Sequence, residues 1–124
     1  MSEPLTPVQV ETKMRQLVTA ITLAQKALAE ARDLEVDAEH DYRSAERKAL
    51  LSDACPKVRR DGASAAERDA WVADQVDGLE FAYKVARSKR EAAKDHLDAL
   101  NTQAALVMAL RRSVGQAYQM AGAS

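Results

Sequence analysis

The stretch CPKVRRDGASAAERDAW, residues 55–71, separates two long charged, alanine-rich runs, and its reading decides the fold. Pro56 cannot continue a helix, and Lys57 to Gly62 offer no periodic apolar face. Ser64-Ala65-Ala66-Glu67 then matches a capping box. The Ser hydroxyl would accept from the Glu67 amide, and the Glu67 carboxylate would reach back to the Ser64 amide. The stretch therefore reads as a turn and a new helix start. Asp77-Gly78-Leu79-Glu80 repeats this more weakly, with Asp77 as the cap. Two alternatives stay open for residues 64–76: a separate short helix, or a run continuous with the second long helix, with Gly78 as a soft point.

Upstream, Thr6-Pro7-Val8-Gln9 is a helix start with Thr6 as cap and Pro7 in the first turn. Apolar residues then recur in steps of four and three at Val10, Met14, Leu17, Ile21, Ala24, Leu28 and Ala31. Glu35 interrupts the series, which resumes at Ala38, Tyr42, Ala45 and Ala49. About six heptads in one phase specify a left-handed supercoil, and the alanines at alternate positions admit a close neighbour. Downstream, Val72, Val76, Leu79, Tyr83 and Ala86 lead to Arg90. Ala93, Leu97, Leu100, Ala104 and Val107 come next, after which the phase slips toward Leu110, Val114, Ala117 and Ala121. Residues 120–124 are expected to fray.

These patterns predict one all-α domain, an antiparallel coiled-coil helical hairpin. Its helices cover about 7–53 and about 78–119, with a capped turn or short helix over 54–77. Setting Glu35 opposite Arg90 makes paired position numbers sum to a constant. The same register joins Ile21 to Ala104, Leu28 to Leu97, Tyr42 to Tyr83 and Ala49 to Val76. A lone charge in the seam costs several kcal/mol, whereas an ion pair mainly selects register. The acidic run over 30–41 and the basic run KVARSKREAAK over 84–94 would then lie side by side and complement each other. Leu23, Leu34, Val36, Leu50, Leu51, Phe81, Val85, Met108 and Leu110 fall off the seam, so self-association into a homo-oligomer is expected.

Composition narrows the function classes. The 124 residues carry a net charge of -1, 30% charged and 4% aromatic residues, which suits long helices and gives no global pull toward nucleic acid. The single Cys55 excludes an internal disulfide and suits a reducing cytoplasm. No apolar run reaches membrane-spanning length, and MSEPLTPVQV lacks an export pattern, so a cytoplasmic protein without membrane contact is expected. There is no phosphate-binding glycine loop, metal-ligand spacing or nucleophile motif. His40 and His96 read as solvated polar residues, and no enzyme activity or cofactor is expected. Two basic clusters escape the acidic–basic pairing and are candidates for phosphate contact: Lys57, Arg59 and Arg60 in the turn, and Arg111 with Arg112. Trp71, Phe81, Leu110 and Tyr118 are candidates for a partner surface, Tyr118 also as a stacking platform for a base.

The layout, with KVRRDG and SAAERDA in the turn and LVMALRRSVGQA closing the second helix, resembles small helical proteins that phages encode beside recombination genes. It is similar in outline to the UvsY-type recombination mediators. That resemblance covers most of the chain and rests on helix layout and on Leu110-Arg111-Arg112-Ser113. It implies an oligomer in the host cytoplasm that binds single-stranded DNA and recruits a recombinase or annealing protein. Two other readings stand beside it: an adaptor or inhibitor that lays apolar helix faces on a host protein, and a scaffolding subunit of particle assembly. The helical hairpins of the WXG type are similar in size, but Trp71-Val72-Ala73 lacks their turn glycine.

Overall fold

A computed structural model describes residues 5–123 and is all-helical. α1 spans Pro7–Leu50, α2 spans Ala65–Gln75 and α3 spans Asp77–Ala123. The only β-type contact among the described residues is an isolated bridge between Val58 and Ala63. None of these helices is long and apolar enough to cross a membrane.

Local chemistry explains the boundaries. At the start of α1 the Thr6 hydroxyl accepts from the Gln9 amide at 3.2 Å, while the Gln9 side chain accepts from the Thr6 amide at 2.9 Å. Two otherwise unpartnered donors are satisfied reciprocally. At α2 only half of the expected box forms. Ser64 caps the helix and accepts from Glu67 N at 3.1 Å, but the Glu67 carboxylate makes no return bond to Ser64. α2 is a separate helix, and the junction lies at Val76 rather than at Asp77. Val76 N still donates to Val72 O, while Val76 O already accepts from Glu80 N at 2.9 Å. Asp77 is thus inside the first turn of α3, where its charge, like that of Glu80, meets the positive end of the helix. α1 stops at Leu50, three residues short of the expected end, because residues 51–55 tighten into turns before Pro56. α3 continues through residues 120–123, where fraying was expected; Ser124 lies outside the described residues.

The chain divides into two compact units. One comprises the described residues up to Ala29 and those from Ala92 onward; the other is Glu30–Glu91. In the first, Val10, Leu17, Ala24, Leu100 and Val107 form the buried core, flanked by Met14, Ile21, Leu97, Ala104 and Val114. Val114 lies one heptad beyond Val107, so the expected phase slip does not occur: Leu110, Ala117 and Ala121 stay exposed. In Glu30–Glu91, Ala49, Cys55, Val72 and Val76 form a second core, with Tyr42, Ala45 and Trp71 packed against it.

Candidate functional site

The loop between α1 and α2 is held by its own backbone. Ser52 N donates to Ala49 O at 3.2 Å, and Cys55 N donates to Ser52 O at 3.1 Å. Gly62 N donates to Arg59 O at 3.2 Å, and Arg59 N donates to Ala63 O at 3.3 Å. A side chain at position 62 would meet the Arg59 Cβ and the Lys57 carbonyl oxygen at 3.3 Å each, so glycine allows this close turn. Lys57, Arg59 and Arg60 are all exposed on it, and none forms an ion pair among the described residues. The cations therefore stand on an ordered loop with their charge unneutralised. Cys55 lies beneath, buried, with its thiol donating to Pro56 O at 3.7 Å.

The second basic candidate divides. Arg111 Nε reaches Glu11 Oε1 at 2.8 Å, whereas Arg112 is exposed and has no ion-pair partner among the described residues. Of the four partner-surface candidates, Trp71 is half-buried and packed against the second core. Phe81, Leu110 and Tyr118 are exposed. His40 and His96 are exposed as well, and no group of three or more His, Cys, Asp or Glu that could hold a metal occurs among the described residues.

Comparison with protein-family models, curated proteins and solved structures returned no match.

Within Glu30–Glu91 the polar seam is explicit. Arg90 Nε donates to Glu35 Oε2 at 3.0 Å. Seven positions along, Tyr42 stacks on Tyr83 with ring centroids 5.9 Å apart. The wider charge complement does not form. Lys84 pairs with Glu80 at 2.8 Å and Arg87 with Glu91 at 3.5 Å, both within α3, so the basic run is neutralised largely along its own helix. The physical reason is distance: a partner one turn away is reached by a relaxed side chain, whereas a partner on another helix must lie beside the seam.

A small network here escaped sequence reading. The Tyr42 hydroxyl donates to Glu80 Oε2 at 3.3 Å, and the Arg43 guanidinium sits 4.8 Å from the Tyr42 ring centroid. Burial pushes the Tyr42 hydroxyl above its ordinary range, and the carboxylates of Glu46 and Glu80 push the same way. The hydrogen bond from Lys84 holds Glu80 below the usual carboxylate range and raises Lys84 in turn. Glu80 to Lys84 is a four-residue spacing visible in the sequence; the reach from Tyr42 to Glu80 is not. A groove of about 410 Å³ is lined by Tyr42, Glu46, Arg68, Asp69, Val72 and Glu80.

Proposed function

We propose that this chain is a non-enzymatic interaction protein, an antiparallel coiled-coil hairpin that self-associates and works through helix-to-helix contacts. The observation that carries this reading is the exposure of large apolar side chains at helical spacing. Leu23 and Leu34, both more than 60% exposed, lie eleven residues apart on one face of α1, and Leu106, 66% exposed, lies four residues from the exposed Leu110 on one face of α3. Side chains of this kind scattered singly need no explanation, but recurrence along helix faces marks association. Sedimentation velocity tests it: the weight-average mass should rise with protein concentration over about a hundredfold range, because association obeys mass action. A mass that stays at one chain throughout removes the reading.

A second reading, the single-stranded-DNA accessory implied by the resemblance, is favoured by the three unneutralised cations Lys57, Arg59 and Arg60. Three phosphate contacts predict that affinity for a single strand falls about twentyfold between about 50 and 200 mM salt. Anisotropy of a labelled oligonucleotide measures this. The triple variant Lys57→Ala/Arg59→Ala/Arg60→Ala should lose both the binding and its salt dependence. An absence of binding by the unaltered protein at the lower salt overturns this second reading and leaves the first intact.

A further inference from the structure

The seam of α3 that faces its own chain leaves a second stripe, roughly a third of a turn round the helix, with the same alternation of three and four. In its central part the stripe reads Ala99, Gln103, Leu106, Leu110, Ser113 and Ala117. All six are exposed, and all six belong to the unit that begins at Ala92. The order is a palindrome in chemistry: small, polar, leucine, leucine, polar, small. No carboxylate occurs after Asp98 in α3, and none of the six is charged.

We propose that this stripe is the contact face for a second copy of the chain, with the two α3 helices antiparallel about a two-fold axis near residue 108. The inference rests on the self-association reading above and names its surface and register. An isologous contact requires that if one residue meets another, the second also meets the first on the opposite side of the axis. Every antiparallel two-fold register meets that condition, and the palindromic stripe sets like against like in one of them, with paired numbers centred on residue 108. Leu106 meets the partner's Leu110, Gln103 meets the partner's Ser113, and Ala99 meets the partner's Ala117. Leucines fill the centre, the amide and hydroxyl hydrogen-bond each other, and the alanines let the backbones close in at both ends. Shifting the partner by one heptad sets the leucines against glutamine and alanine in one direction and against serine and alanine in the other, so the leucine–leucine match is lost. A parallel pair in register also places leucine on leucine, but it sets Arg112 beside the partner's Arg112 and aligns the two helix dipoles. An acidic or basic partner protein finds no opposite charge on this stripe, whereas a copy of the stripe meets no unpaired charge.

Two experiments on the full chain test it. The variant Leu106→Glu/Leu110→Glu should weaken the dimer at least about thirtyfold in sedimentation, the scale of a central hot spot. Its helical circular dichroism should be kept, since neither leucine belongs to the buried core. In a Cys55→Ser background, Gln103→Cys and Ser113→Cys chains should form a disulfide-linked dimer when mixed and oxidised, while either alone should not. Cross-linking of Gln103→Cys chains with themselves overturns the antiparallel register. An oligomer that persists in the Leu106→Glu/Leu110→Glu variant overturns the face but leaves self-association standing. An unaltered chain that is monomeric at every concentration overturns both.

Discussion

Leu17→Ala is expected to lower the unfolding free energy by about 3 kcal/mol, the middle of the range for a leucine lost from a core. Leu17 is only 6% exposed and lies among Val10, Ala24, Leu100 and Val107. Its removal deletes about three methylene equivalents and leaves a void that its neighbours fill only in part. The core of this unit is thin, so few other contacts share the loss. Urea denaturation monitored by circular dichroism measures the effect as a lower midpoint with an unchanged slope. Leu23→Ala, six positions along the same helix, is the matched control. Leu23 is 63% exposed, and its truncation should fall within about 0.5 kcal/mol of the unaltered chain. Equal effects from the two would contradict the assignment of the seam.

The second large effect concerns the polar seam and has an asymmetric sign. Arg90→Leu alone should cost about 2 kcal/mol, because the Glu35 carboxylate keeps its desolvation and loses its partner. The side chains of Arg90 and Glu35 are still 26% and 19% exposed, which holds the loss below that of a fully buried pair. Glu35→Leu/Arg90→Leu together should be neutral, or more stable by about 1 kcal/mol, since two leucines pack where two charges were desolvated. A double-mutant cycle in urea gives the coupling directly. If the effect of the double variant equals the sum of the two single effects, the ion pair contributes nothing. The double variant also loses the element that distinguishes one heptad register from the next, so extra amide resonances from slipped pairings should accompany its stability.

The helices were legible because their signals are local and repeated. From Val10 to Ala49 each position in the four-three series is buried or half-buried, including Glu35. The seam register was legible at Glu35 and Arg90 because an isolated charge in an apolar series has few places to go. What the sequence concealed has physical reasons too. The basic run over 84–94 looked like a complement to the acidic run, but i,i+4 partners within α3 compete for the same cations at lower entropic cost. After Val107 the apolar residues Leu110, Val114, Ala117 and Ala121 suggest a shifted phase, but Leu110 is exposed. The backbone instead keeps its heptad phase to Val114, with Arg111 between them bonded to Glu11. The loop around Gly62 depends on a steric approach to Arg59 and Lys57, which no spacing rule encodes. The candidate cations were legible as basic clusters with no acidic run opposite, but only the geometry separates Arg111, paired with Glu11, from Lys57, Arg59, Arg60 and Arg112, which form no ion pair among the described residues.

The threonines of the long helices give parts of the surface a fixed polarity. Thr12, Thr19 and Thr22 donate their hydroxyl protons to the carbonyls of Val8, Arg15 and Val18, and Thr102 does the same to Asp98. Each oxygen keeps its lone pairs but has no proton to offer outward. At these four points the surface can receive a hydrogen bond and cannot give one. Water or a neighbouring molecule must approach hydrogen first, and a carbonyl or carboxylate brought to the same spot finds a methyl group and an oxygen that repels it.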